Sequence, residues 1–219
     1  MRMKALTSLV VSLAFLTVPV VTHAQFTVYT TLASFLAATS ASGTDTYTGF
    51  DVRFVTPSPI VRTSGPYSYT ATAARGFFGV GTISNPALST NIATDAIVFN
   101  AFTSGVRGIG GNFFGSNGLG SFQPADITVS ATNAGGTTTQ VLALPATTSF
   151  LGFVSTGGAI STFSVAAIQA NGLSLYPSVD NFVLALAPEN VVPEPSTYAL
   201  MMTGLVGVVI ATRRRRLNS

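Results

Sequence analysis

The sequence predicts an all-β fold, an antiparallel β-sandwich carrying one short helix near its start. Three observations lead there. Only 8% of the 219 residues are charged while 47% are hydrophobic, which excludes a disordered charged tail and long Glu/Lys/Arg-rich amphipathic helices. The 21 glycines and 11 prolines, among many Ser and Thr, punctuate short β-rich runs at regular spacing. No helical periodicity separates those runs, so an antiparallel sandwich is expected rather than a βαβ sheet.

The elements follow in order. Residues 30–38 predict the helix, with a hydroxyl N-cap and then Leu32, Phe35 and Leu36 at i, i+3 and i+4; Gly43 marks a break after it. Residues 67–72, 96–99, 106–114, 126–130, 140–144, 150–154, 160–168 and 179–186 belong to a set of roughly eight to ten strands. Asn133-Ala134-Gly135-Gly136 joins the runs 126–130 and 140–144 as a hairpin. In Phe77-Phe78 and Phe113-Phe114, strand alternation sends one member of each pair to the core. Core packing is the expected role of most of the 16 phenylalanines. Residues 25–188 are ample for one such core.

The ends read differently from this body. Residues 1–24 have the three parts of a secretory signal peptide: positive Arg2 and Lys4, an apolar stretch over 6–21, and small residues at Thr22 and Ala24. Cleavage is expected between Ala24 and Gln25, by signal peptidase after passage through the Sec machinery. At the other end, Val192-Pro193-Glu194-Pro195-Ser196 is stiff and extended, because each proline fixes φ and disfavours helix in the residue before it. An apolar run over 198–211 follows, then Arg213, Arg214, Arg215 and Arg216. Fourteen residues as helix reach about 21 Å, short of a hydrocarbon core of roughly 30 Å. A short transmembrane helix with a dense cationic stop looks like a temporary anchor whose arginines stay on the cytoplasmic side. The chain thus divides into a signal peptide (1–24), an ectodomain (25–188) and a tail (189–219).

The tail closely resembles the PEP-CTERM sorting signal of Gram-negative bacteria that make exopolysaccharide. The matching elements are Val192-Pro193-Glu194-Pro195-Ser196-Thr197, the apolar helix with internal Gly204 and Gly207, and the terminal arginines, in that order. The resemblance implies recognition by an exosortase, a membrane-embedded cysteine transpeptidase-like enzyme, which removes the tail and passes the body to the cell surface or exopolysaccharide matrix. It assigns an address and no activity. The body is similar, more loosely, to ectodomains found upstream of such tails. The matching runs are Phe35-Leu36-Ala37-Ala38, Ile109-Gly110-Gly111-Asn112-Phe113-Phe114, Phe150-Leu151-Gly152-Phe153 and Val179-Asp180-Asn181-Phe182. This likeness implies a jelly-roll-like sandwich, a shape shared with many carbohydrate-binding modules, although the chain has no Trp for a sugar platform.

Charge and residue inventory exclude several functions. The net charge of +3 belongs to the ends. Between residues 25 and 192, Arg53, Arg62, Arg75 and Arg107 face six acids (Asp45, Asp51, Asp95, Asp126, Asp180 and Glu189), so no basic surface for nucleic acid is expected. The chain has no Cys, and its one histidine, His23, leaves with the signal peptide. Ser-His-Asp and Cys-His catalysis and imidazole or thiolate metal sites are then unavailable. Gly105, Gly108, Gly110, Gly111 and Gly115 sit in a strand-like run without the context of a phosphate-binding loop, and read as bends and close packing. A two-carboxylate glycosidase would need two of the scattered acids to meet. Asp180-Asn181, on the last strand, admits two roles: oxygen ligands for a structural Ca²⁺, or, preferred, hydrogen bonding to nearby loop backbone. No other cofactor is expected. The expectation is a non-catalytic exported protein, structural or adhesive in role. The alternative is a carbohydrate-binding or carbohydrate-active surface protein using Asp and Tyr side chains.

Overall fold

The computed structural model describes residues 25–170, 172–186, 202–203 and 205. Its elements begin β1 (Phe26–Tyr29), α1 (Leu32–Ala37), β2 (Ala41–Asp45), β3 (Ile60–Ser64), β4 (Tyr67–Thr72), β5 (Phe77–Thr82) and β6 (Asn85–Thr90). They continue β7 (Ile97–Asn100), β8 (Val106–Ser116), β9 (Ile127–Asn133), β10 (Gly136–Leu142), β11 (Phe150–Ser155), β12 (Ile160–Ala167) and β13 (Tyr176–Leu186). Two antiparallel sheets face each other. The first has the order β1-β11-β8-β13-β6-β5, with β2 also paired to β13; the second has the order β10-β9-β12-β7-β4-β3. From β7 onward the chain crosses repeatedly between the sheets, as a jelly-roll-like sandwich requires.

Aromatic side chains fill the space between the sheets. Phe163 of β12 lies 5.6 to 6.1 Å, centroid to centroid, from Phe99, Phe113, Phe153 and Phe182, and Phe99 stacks on Phe182 at 4.3 Å. Tilted and edge-on pairs of this kind add to the large apolar area each ring removes from water. Phe77 and Phe113 point inward as alternation demands, whereas Phe114 packs on the outer face with Val80 and Ala87.

The predicted hairpin forms with Asn133 opposite Gly136, and the Asn133 side chain caps the turn by accepting from Gly135 N–H at 2.8 Å. Thirteen strands among the described residues exceed the eight to ten expected. The additional ones include β2, β5 and β6. The helix stops at Ala37, with Ala38 as its C-cap, and Gly43 follows it. That glycine lies within β2, so close to the Ser64 carbonyl that any Cβ would overlap it. The expected apolar helical stripe is also narrower: Phe35 is fully buried, but Leu32 and Leu36 are exposed.

Phe35 seats α1 on the outer face of the first sheet, against Phe150, Val154, Val183 and Ala185. Glycines make the seat. A Cβ on Gly152 would come within 2.5 Å of Phe35 Cδ2, and one on Gly108 within 3.1 Å of Phe35 Cζ. The glycine-rich β8 run is therefore close packing, as the sequence suggests.

The register also fixes where the chain enters and leaves. Phe26 pairs with Ser155 and Leu186 with Val106, and β11, β8 and β13 are hydrogen-bonded in that order. Both ends of the body thus lie at one end of the first sheet. Gln25 sits there, its carbonyl accepting from Thr156 N–H at 3.0 Å and its side chain against Gly135 and Gly157.

Candidate functional site

Two aspartates anchor the polar chemistry of the body. Asp45, at the end of β2, is 5% exposed. Arg62 of β3 approaches it with two parallel bonds, Nε to Oδ2 at 2.6 Å and Nη2 to Oδ1 at 2.8 Å. Tyr69 O–H donates to Oδ2 at 2.7 Å and Tyr47 N–H to Oδ1 at 2.8 Å. The guanidinium lies 5.1 Å from the Tyr47 ring centroid and 5.9 Å from that of Phe50. The Asp45 carboxylate raises the Arg62 pKa still further, and burial pushes the Tyr47 and Tyr69 phenols well above the ordinary range. Bidentate, charge-assisted pairing of this kind joins the two sheets. Ser64 reinforces the joint: its Oγ lies 2.7 Å from Gly43 O and 2.8 Å from Phe182 O, and accepts from Leu184 N–H at 3.2 Å. The Tyr47 hydroxyl is buried without a hydrogen-bond partner among the described residues; the charged pair, the Tyr69 hydroxyl and Ser64 are spent within the joint.

Asp180 and Asn181 stand otherwise. Along β13, Asp180 pairs with Asn112 and Val183 with Gly110, so Asn181 and Phe182 together oppose the single Gly111. This bulge lets Val179 and Phe182 both enter the core while Asp180 and Asn181 both remain half-buried outside it. Asn181 takes up the left-handed backbone, φ 49°, which asparagine tolerates better than most residues. Its N–H donates to Asp180 Oδ1 at 2.7 Å, and its Nδ2 donates to Asn112 Oδ1 at 3.0 Å. Among the described residues the Asp180 carboxylate has no ion pair, and burial raises its pKa above the usual carboxylate value.

The two side chains open onto separate clefts. Asn181 and Asn112 line one of about 590 Å³ with Thr30, Thr31, Leu32, Thr44, Thr148, Ser149, Phe150 and Val183. Asp180 lines the other, of about 400 Å³, with Thr82, Asn85, Phe114, Ser121, Phe122 and Thr147. The ridge between them is the loop before β11. It is held by Ser149 N–H donating to Ala146 O at 2.9 Å, Ala146 N–H to Ser149 Oγ at 3.0 Å, and Phe113 N–H to Ser149 O at 3.3 Å.

Phe122 forms one wall of the second cleft, 45% exposed and 6.3 Å from the buried Phe114 ring. Its loop is also pinned, since Asn117 Oδ1 accepts from Leu119 N–H at 3.0 Å and Ser121 N–H at 3.1 Å. Neither Phe122 nor the Asn112 side chain is marked by the sequence as a site residue. Phe122 follows a Gly/Ser-rich stretch without periodicity. The double polar step Asp180-Asn181 between Val179 and Phe182 is legible, because it breaks the alternation of a strand.

As a metal site, Asp180, Asn181 and Asn112 offer one carboxylate and two amide side chains, fewer oxygens than the six to eight of a Ca²⁺ cage. No group of three His, Cys, Asp or Glu side chains that could hold a metal occurs among the described residues. Asp45, the acid whose charge acts on Asp180, is already committed to Arg62. Ala24, the sorting residues Val192, Pro193, Glu194 and Pro195, and Arg213, Arg214, Arg215 and Arg216 lie outside the described residues. The apolar run 198–211 does too, except for helical residues 202, 203 and 205. No helix among the described residues is long and apolar enough to cross a membrane.

Residues 191–216 match the family model of the PEP-CTERM protein-sorting motif. No curated protein matches the chain, and no solved structure matches it. The motif identifies an exported, surface-directed protein whose processing partner is an exosortase.

Proposed function

We propose that this PEP-CTERM protein works at the cell surface or in the exopolysaccharide matrix as a non-catalytic, adhesive body. One observation carries the reading: a sorting tail at 191–216 is joined to a β-sandwich in which the interior acid Asp45 is closed by Arg62, while Asp180 stands without an ion pair among the described residues and faces a cleft. The absence of Cys, and of any His beyond residue 23, supports it, because acyl-transfer and thiol chemistry need those side chains.

In this reading the Sec machinery and signal peptidase deliver a body that starts at Gln25. The run 198–211 anchors it in the inner membrane, and Arg213–Arg216 hold that anchor from sliding outward, since burying four guanidiniums is prohibitively costly. The prolines keep Pro193-Glu194-Pro195 extended at the outer boundary, where a membrane-embedded enzyme can take it. Fractionation of the tagged protein in a host that has an exosortase tests this. Wild type is trimmed and recovered at the surface, while replacement of Pro193-Glu194-Pro195 by three alanines leaves an uncleaved, membrane-bound chain. Normal trimming of that variant would reject the sorting mechanism. Hydrolysis of a polysaccharide, abolished by one Asp→Ala change, would reject the non-catalytic reading.

A second reading, carbohydrate binding, is favoured by the exposed Phe122 ring beside the open Asp180 carboxylate.

A further inference from the structure

We infer that the two clefts on the outer face of the first sheet form one binding track for a neutral polysaccharide chain, with Phe122 and Asp180 holding one sugar unit and the Asn112–Asn181 amide pair the next. The inference rests on the adhesive, non-catalytic reading of the body and assigns it a ligand class and a site.

The open hydrogen-bonding positions carry the argument. In the amide pair, Asn181 Nδ2 and Asn112 Oδ1 satisfy each other at 3.0 Å, which among the described residues leaves Asn112 Nδ2 as a free donor and Asn181 Oδ1 as a free acceptor. Exchanging O and N in both amides gives the same result, one donor and one acceptor side by side. Neighbouring hydroxyls on a sugar ring offer the complementary pair. On the other side of the ridge, among the described residues Asp180 Oδ1 accepts only the N–H of Asn181, and Oδ2 is open there to accept from a hydroxyl as a charge-assisted bond.

Shape and charge narrow the ligand further. Phe122 presents a ring that is 45% exposed, to which the apolar C–H face of a pyranose can be applied while its hydroxyls reach Asp180, Asn85 and Ser121. Both cleft volumes, about 590 and 400 Å³, fall in the range of small-molecule sites. Among the described residues no arginine lines either cleft, so an anionic uronate chain would meet the Asp180 charge uncompensated there. The ridge and the Phe122 loop are both pinned by hydrogen bonds, which keeps the track in place before the ligand arrives.

Native electrophoresis tests the inference, using the full chain in a detergent without sugar headgroups. The gels carry dextran, hydroxyethylcellulose or glucomannan as neutral chains, and alginate as an anionic one. Retardation is expected in at least one neutral gel and not in alginate. Phe122→Ala is expected to weaken it tenfold or more and Asn112→Ala about threefold, each with its melting transition kept. EDTA is expected to leave it unchanged. No retardation in any neutral gel, retardation in alginate alone, or full retention by Phe122→Ala would overturn the inference while leaving the sorting reading intact. Loss in EDTA would also overturn it, replacing direct contact by a cation bridge. New reducing ends in a retarding gel would support the track and reject the non-catalytic reading instead.

Discussion

Asp45 and Asp180 lie on hydrogen-bonded strands of one sheet, yet their surroundings differ in every respect that governs chemistry. Asp45 meets a guanidinium, a phenol and a backbone N–H, and is closed off from water. Asp180 meets one backbone N–H and faces a cleft. The first site exchanges desolvation for partners and gives its valences to holding two sheets together. The second keeps them. In a sandwich this poor in charge, an acid left open on a pinned surface is where a ligand has something to gain, and the closed acid is where a mutation has most to destroy.

The largest effect tests the closed site. Arg62→Ala leaves the Asp45 charge buried without its counter-ion, a change that costs about 3–5 kcal/mol. At roughly 2–4 °C per kcal/mol for a chain of this size, Tm should fall by about 6–20 °C in a calorimetric melt. A fall of only a degree or two would mean that the pair is not the joint between the sheets.

A smaller effect probes the seat of α1 beside the open site. Gly152→Ala puts a methyl within 2.5 Å of Phe35 Cδ2, and overpacking of this kind costs about 1–3 kcal/mol. Amide exchange over residues 32–37 should quicken along with the fall in Tm. Unchanged exchange there would show that Phe35 gives way without moving the helix that borders the first cleft.

The smallest effect reads the open acid through pH. Because burial raises the folded pKa of Asp180, the native state holds that proton more tightly than the unfolded chain, whose value is about 3.9. Stability is therefore greatest below the unfolded value, falls as pH rises through the folded one, and stays reduced above it. Asp180→Asn removes this loss, so at neutral pH its Tm should match or exceed wild type by about 2 °C or less. A clear destabilisation at pH 7, with wild type unaltered by pH, would mean that the carboxylate has a charged partner after all.

Much of the fold is legible in the sequence because the signals are local. The Asn133–Gly136 turn, the hydroxyl cap at Thr31 and the alternation around Phe113 each lie within a few residues. The strands that escape are those without a pattern of their own. Ala41–Asp45 reads Ala-Ser-Gly-Thr-Asp and becomes β2 because β13 offers it a partner 137 positions or more away. β6 carries Pro86 and β5 two glycines, residues that ordinarily weaken a strand. The candidate site divides similarly. The Asp180-Asn181 step shows itself against the alternation of β13, but Asn112 and Phe122 gain their meaning only from what folding places beside them.

The bulge at Asp180 and the exit of the chain at Leu186 are joined by a single strand. At about 3.3 Å per residue they stand roughly 20 Å apart along β13. A body gripped near Asp180 and tethered beyond Leu186 is therefore stretched along that strand's axis. β8 lies along one flank of β13, and β2 and β6 share the other, so the load falls on many ladder bonds at once, in shear, instead of peeling them one by one. Resistance to such a pull is set by the rate of unfolding rather than by equilibrium stability, and the most heavily bonded strand of the sandwich carries the force.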